Sequence, residues 1–390
     1  MAPKISKRGE IPAFIVMEVM RAAAERAASG ADVFHMEVGQ PGTGAPRGVI
    51  DAARAALDEH RIGYTVALGI PELREAIAGH YRDYYGVNVP IERIVVTTGS
   101  SGAFLLSFLS AFDQGDRVAL AAPGYPCYRN ILSALGVEPV SLMTTAADRF
   151  QPTPELLDKA RAEGPIHGLI LASPSNPTGT MLGRTELQAL VDYCHAHDIR
   201  LISDEIYHGI TFHHKADTAA GMSNDAIIIN SFSKYFSMTG WRLGWMVVPE
   251  DLMRPVESLA QNLFISPPTL SQVAAVAAFD CHEELAANLA RYAANRELLL
   301  TELPKAGFTD LAPADGAFYI YADVGHLTSD SEAFCRRLLN EAGVAVTPGV
   351  DFDPWRGNRF LRFSFAESTE EITAAAAALR KWHAEGGAGG

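Results

Sequence analysis

Between residues 93 and 247 the chain repeats one phrase: a short apolar run, a small or polar turn, then a helical pattern. The runs are Ile94-Val95-Val96, Val118-Ala119-Leu120, Leu169-Ile170-Leu171, Leu201-Ile202, Ile227-Ile228-Ile229 and Trp245-Met246-Val247-Val248. They are continuous rather than alternating, which predicts strands covered on both faces in a mostly parallel sheet. Helix-length segments separate them, such as Ser101–Phe112 and Arg184–His197, where Thr185 and Gln188 stand at capping-box spacing. Strand–helix alternation over this length predicts a layered α/β domain. Helices are also expected over 13–28 and 72–85, the second opened by Pro71. After residue 283 the character changes. A long helical pattern through Leu300 precedes short strand candidates at Ala317–Tyr321, Val344–Val346 and Leu361–Phe365, a smaller α+β domain.

Composition narrows the class. At 390 residues, 48% hydrophobic and 20% charged, the chain is long enough for two domains and is neither disordered, collagenous nor a coiled coil. No run of about 18 apolar residues predicts a membrane span, and the basic start MAPKISKRGEIPAF lacks the apolar stretch of a secretory signal. A formal charge of −14 without a basic cluster argues against nucleic-acid binding. Four scattered cysteines, Cys127, Cys194, Cys281 and Cys335, fit buried free thiols in the cytoplasm rather than a disulfide or zinc framework. The pairs His195/His197 and His213-His214 have no accompanying carboxylate or thiol cluster, so no metal site is expected.

The most informative residue is Lys234. It follows the buried-type run Ile227–Ile229 and the turn Asn230-Ser231-Phe232-Ser233, and ligands of open α/β sheets bind at the carboxyl ends of strands. A lysine desolvated there loses charge and becomes a nucleophilic amine suited to a Schiff base; one that snorkels or pairs with a carboxylate would look the same. Its neighbours favour chemistry. Arg242 lies between glycines in Gly240-Trp241-Arg242-Leu243-Gly244, and Thr97-Thr98-Gly99-Ser100-Ser101-Gly102 joins a strand to a helix in a form that closes on an anion. With Lys234 they point to a phosphorylated aldehyde. Asn176, in the turn Ser173-Pro174-Ser175-Asn176-Pro177-Thr178-Gly179, and Tyr207 can bond a ring oxygen, while Asp204 can face a protonated pyridine nitrogen.

The ordered set GQPG (39–42), GYP (124–126), SNPTG (175–179), SDEIY (203–207), SFSK (231–234), GWRLGW (240–245) and LRFSFA (361–366) resembles the class I/II pyridoxal-phosphate aminotransferases, over about residues 12 to 383. This is the fold-type-I family that includes aspartate aminotransferase. The resemblance implies a large domain with a mostly parallel seven-stranded sheet between helices, plus a smaller α+β domain. The corresponding division is 1–40 (arm and part of the small domain), 41–283 (large, cofactor-binding) and 284–390 (small). It implies that Lys234 holds pyridoxal 5′-phosphate and shuttles the proton, that Asp204 partners the pyridine nitrogen, and that Asn176 and Tyr207 donate to the phenolic oxygen. Ser100, Ser101, Ser231 and Arg242 match phosphate positions, and Tyr64 the tyrosine that reaches the phosphate from a neighbouring subunit of a homodimer. Tyr125 matches the aromatic stacked on the ring. Arg362, with a backbone contact near Gly39, matches the grip on the substrate α-carboxylate.

The implied reaction moves the amino group of an L-amino acid to a 2-oxo acid by ping-pong turnover. A lyase or decarboxylase on the same cofactor would share the lysine and aspartate. A ligand-sensing regulator would need an appended DNA-binding domain, and the resemblance already begins near residue 12. Phe14, Ile15, Val16 and Tyr125 suggest a neutral or apolar side-chain pocket, hence a broad, alanine-type or aromatic donor with 2-oxoglutarate or pyruvate as acceptor.

Overall fold

In the computed structural model, residues 3–59 and 62–387 are described. The strands in chain order are β1 (Phe34–His35), β2 (Ile94–Thr97), β3 (Arg117–Ala122), β4 (Glu138–Met143), β5 (Gly168–Ala172), β6 (Arg200–Asp204), β7 (Ile227–Ser231), β8 (Gly244–Val247), β9 (Asp310–Leu311), β10 (Tyr319–Asp323), β11 (Val344–Ala345), β12 (Thr347–Pro348) and β13 (Phe360–Ser364). Seven form one sheet in the order β2-β8-β7-β6-β5-β3-β4, parallel except for β8, which runs against both neighbours. Helices pack on both faces, so β2, β7 and β8 are buried at every position, which explains their unbroken apolar runs. β4, reading Glu-Pro-Val-Ser-Leu-Met, stands at the edge opposite β2, is mostly not buried, and carries no such run.

The helices are α1 (Ile15–Ala28), α2 (Arg47–Glu59), α3 (Pro71–His80), α4 (Gly99–Ala111), α5 (Pro126–Leu135), α6 (Pro154–Ala162), α7 (Arg184–Ala196), α8 (Met253–Leu263), α9 (Thr269–Ala275), α10 (His282–Glu302), α11 (Ser331–Arg337) and α12 (Thr369–Ala384). Two expectations need correction. The helix expected over 72–85 is α3 followed by a π-turn, Tyr81–Tyr85, closed by left-handed Gly86. The capping box at Thr185 and Gln188 does not form: α7 begins two residues too early for it, with Gly183 as N-cap, and Gln188 bonds Asp192 at 2.8 Å instead. A real capping side chain opens α12, where Ser368 accepts from the Glu371 amide at 3.1 Å. No helix among the described residues is long and apolar enough to cross a membrane. All four cysteines are free; Cys194 and Cys335 are buried, Cys127 and Cys281 only partly.

The second sheet, β12-β13-β10-β9, is antiparallel. The expected strand Val344–Val346 is split: β11 pairs with β1 near the N-terminus, and β12 turns onto β13. A core of Phe308, Phe318, Ile320, Phe363 and Leu379 lies behind this sheet, distinct from the cores on either face of the large one. Each such side chain contributes on the order of 1.5–3 kcal/mol by leaving water.

Register places the site. Ala172 at the end of β5 pairs with Asp204 at the end of β6, and Asp204 with Ile229 of β7. The turns after these three strands therefore open on one crevice. Gly244, first in β8, pairs with Thr97 on one side and Ser231 on the other, which brings the loop holding Arg242 to the same end.

Candidate active site

One cavity of about 530 Å³ occupies this crevice, between the large sheet, α1 and the small sheet. Lys234, Asp204, Tyr207, Asn176, Ser100, Ser101, Tyr125, Arg242, Gly39 and Arg362 all line it, although they come from points spread over most of the chain. Two expected residues do not. Tyr64 is 83% exposed on the outer surface. Ser231 is buried in the sheet, its hydroxyl donating to the Leu243 carbonyl at 3.2 Å and to Ser233 at 3.0 Å; Ser233 lines the cavity in its place. Of the expected side-chain pocket, Phe14, Val16 and Tyr125 line the cavity and Ile15 does not.

Lys234 donates to the carbonyl of Gly39 rather than to a carboxylate. Burial first, then the positive charges of Arg362 and Arg242, lower its pKa to about 8, so the neutral, nucleophilic amine is accessible near physiological pH. Asp204 is buried, and desolvation raises its pKa to about 6 against the opposing hydrogen bonds from Tyr128 and the Ile206 amide. Tyr128 is the partner that sequence reasoning missed. It reads as one more core aromatic of α5, packed on Phe104 at 5.0 Å and Tyr125 at 5.3 Å.

Arg362 is buried in mid-strand. Its guanidinium lies between the rings of Tyr319, at 4.4 Å, and Phe352, at 4.8 Å. One arm donates to Asn176 Oδ1 at 2.8 Å, the other to the Glu37 carbonyl at 2.5 Å and to Thr347 at 3.1 Å, while Nε has no protein partner. A buried cation without a carboxylate is costly, so this one is built to receive an anion. Tyr319, also missed, completes the wall and exchanges a 2.7 Å hydrogen bond with Tyr207.

At the opposite end, Ser100 and Ser101 stand in the first turn of α4, whose amides and dipole favour an anion. Gly99 there has φ +70°, and a Cβ on it would lie 2.7 Å from Arg242 Nη2. Glycine is what lets the guanidinium close against the helix N-terminus. A second polar group lies behind the turn. Glu205 accepts from Ser203 at 3.1 Å and from the Ala219 amide at 2.9 Å, and burial raises its pKa to about 7. His208 bridges Tyr85, at 2.8 Å, and the Ser173 carbonyl, at 2.9 Å, tying the Asp204 turn to the Asn176 turn.

A lysine amine, an anion cradle, a buried acid and a carboxylate grip around one cavity define an enzyme acting on the amine of a small acid. The chain belongs to the class I and II aminotransferase family, whose model matches residues 31–379. It is 51% identical to the valine–pyruvate aminotransferase of Mycobacterium tuberculosis, over 98% of this chain and 99% of that protein. The crystal structure of an aminotransferase from Mycobacterium tuberculosis superposes with a TM-score of 0.96 at 51% identity, covering 98% of this chain and all of that one. Aspartate aminotransferase from Thermus thermophilus, with maleate, gives 0.91 at 30% identity, covering 97% and 100%. This protein is therefore an aminotransferase, which moves an amino group from an amino acid to a 2-oxo acid.

Proposed function

We propose that the cavity holds pyridoxal 5′-phosphate and exchanges the amino group of a neutral, branched or apolar L-amino acid, valine foremost, with pyruvate. The residues present fit that cofactor: a Cβ at Gly99 would fill the cradle formed with Arg242, and Asp204 is a buried acid at the cavity wall. Ser100, Ser101, Ser233 and Arg242 would hold the phosphate, Tyr125 the ring face, Asn176 and Tyr207 the ring oxygen, Asp204 the ring nitrogen, and Lys234 the aldehyde carbon. When bound, the cofactor supplies an electrophilic carbon for an amine and a protonated ring that accepts the charge left at Cα.

The chain's own residues do the rest. Arg362 grips the α-carboxylate with both arms, oriented by Asn176 and the Glu37 carbonyl. Lys234, whose lowered pKa brings the neutral amine within reach, takes the proton from the donor's Cα on Nζ and delivers it again on the other side of the exchange. Asp204, whose ionised form is favoured by hydrogen bonds from Tyr128 and the Ile206 amide, would balance a positive charge on the cofactor's ring nitrogen. Two substrates using one site in turn give ping-pong kinetics.

The donor reading is carried by one observation: the first turns of α1 and the residue before them line the cavity with Phe14, Val16, Met17 and Met20, all apolar. Among the described lining residues the cations are Lys234, Arg242 and Arg362, all occupied in this scheme, so none remains for a side-chain carboxylate. The name of the Mycobacterium tuberculosis relative agrees. The homodimer belongs to the same proposal. Ile62, Tyr64, Val66, Leu263 and Ile265 form an exposed apolar strip, its two segments fastened where Thr269 donates to the Gly63 carbonyl at 2.5 Å and Gln272 to Thr65 at 3.1 Å. A second copy covering that strip lets Tyr64 reach the partner's phosphate cradle. The domain division 1–40, 41–283 and 284–390 and a cytoplasmic setting, where the thiols stay reduced, complete the proposal.

The test is a donor panel with the purified enzyme and pyruvate, alongside Lys234→Ala. Valine is expected to outperform aspartate, and the variant to lose both turnover and the visible band of lysine-bound cofactor. Preference for aspartate would overturn the donor reading; normal turnover by the variant would overturn the assignment of Lys234.

A further inference from the structure

The first turn of α1 carries the cavity's apolar wall, yet its own sequence provides no cap: Phe14 is the N-cap and makes no side-chain hydrogen bond. The first amides of a helix need acceptors. Here the acceptor comes from the far end of the chain. Asp351 accepts the Ile15 amide on Oδ1 at 3.2 Å and the Val16 amide on Oδ2 at 3.3 Å. Both arms of one buried carboxylate thus serve the two residues between Phe14 and Met17, and the charge sits where the helix dipole favours it.

Asp351 is itself rigidly mounted. Its carbonyl accepts from Arg129 of α5 at 2.5 Å, and the next carbonyl, of Phe352, accepts from the Gly124 amide at 3.1 Å. The Phe352 ring lies 4.8 Å from the Arg362 guanidinium. Consecutive residues of one turn therefore hold the wall against the substrate side chain and support the grip on its carboxylate. The distance between the two is fixed by that turn, not by α1. Beyond its first turn α1 is anchored separately, through Val19 and Ala23 packed on Leu339 and Ala345, so loss of the cap frees the first turn without detaching the helix.

We propose that Asp351 is a positioning residue that sets the enzyme's preference for donor side-chain size, by fixing the first turn of α1 over the cavity. The inference rests on the apolar-donor reading for its kinetic consequence, and on the hydrogen bonds alone for its structural one. Valine carries two methyl groups more than alanine to set against an apolar wall, so the cap should matter more to valine. Losing a helix cap costs roughly 1 kcal/mol, which is about a fivefold change in an equilibrium.

The test uses the holoenzyme and the variants Asp351→Ala and Asp351→Asn. In Asp351→Ala, kcat/KM for valine should fall about fivefold to tenfold while that for alanine changes less than twofold. Asp351→Asn, which keeps one acceptor oxygen, should recover at least half of the valine-to-alanine ratio. Amide hydrogen exchange should rise in the peptide covering residues 14–18 and stay unchanged over 21–28. Equal losses for both donors, or no change in exchange at 14–18, would overturn the proposal. A wild-type enzyme inactive on valine would instead overturn the donor reading, and the exchange result would still decide whether Asp351 holds the turn.

Discussion

Tyr128→Phe removes one hydroxyl and leaves the ring packed on Phe104 and Tyr125. What it takes away is the phenol's hydrogen bond to Asp204, leaving that buried carboxylate with the Ile206 amide at 3.1 Å. A hydrogen bond to a charged group contributes about 1.5–3 kcal/mol, equivalent to roughly one to two pK units. Asp204 already sits at about 6, and the loss carries it to neutrality or above. A protonated Asp204 cannot hold the charge on the proposed cofactor's ring nitrogen. At pH 7 the ionised fraction of Asp204, and with it the affinity of the cofactor-free variant for pyridoxal phosphate, should therefore fall about 2- to 10-fold, and further at pH 6. The assay is an equilibrium titration by absorbance from pH 6 to 9, taking the ratio of variant to wild-type dissociation constants so that Lys234 and the phosphate cancel. The ratio should shrink toward one as pH 9 restores the carboxylate. A ratio that is unity throughout, or large and independent of pH, would refute the reasoning.

Two more outcomes follow from the same geometry. Gly99→Ala places a Cβ 2.7 Å from Arg242 Nη2 at a residue with φ +70°, a conformation costing an L-residue about 1–2 kcal/mol; pyridoxal-phosphate affinity should drop at least tenfold while the melting temperature falls only a few degrees, as fluorescence titration and calorimetry would record. Glu205 has its folded pKa raised to about 7 by burial, so between about pH 4.5 and 7 the folded chain holds a proton the unfolded chain has released. Stability from this group is therefore complete at low pH and lost as pH rises through that window, by up to about 3 kcal/mol. Glu205→Gln should erase that slope in denaturant unfolding of the cofactor-free protein, and a variant as pH-dependent as wild type would exclude this origin.

Lys234, Asp204 and Asn176 were legible because each ends or follows an apolar strand run, and strand ends in register must converge; Arg362, in the middle of a strand of the other sheet, was legible only through the motif LRFSFA. The residues that escaped do their work through one atom of an otherwise ordinary side chain. Tyr128 has the spacing of a core residue, and nothing in a pattern of apolar positions shows where its hydroxyl ends up. Ser231 and Ser233 flank Phe232 and lie on the same side of the turn; which one faces the cavity depends on Ser231 being drawn to the Leu243 carbonyl by antiparallel β8, a pairing not visible locally. Asp351 is separated from α1 by almost the whole chain, so its role required tertiary structure. β4 was missed because a strand this exposed needs no continuous apolar run, and the capping box at Thr185 failed because the helix starts two residues too early for it.

The contact between Arg362 and the Glu37 carbonyl joins the beginning of the polypeptide to its end. The groups proposed to hold the cofactor, from Ser100 to Arg242, come from one unbroken middle stretch and are all synthesised before β13 exists. The carboxylate grip is complete only when Arg362 of the last strand meets the Glu37 carbonyl, and the wall beside it only when Asp351 meets the first turn of α1. The residues proposed to hold the cofactor are thus complete in the growing chain well before the arginine that would hold the substrate carboxylate has been added.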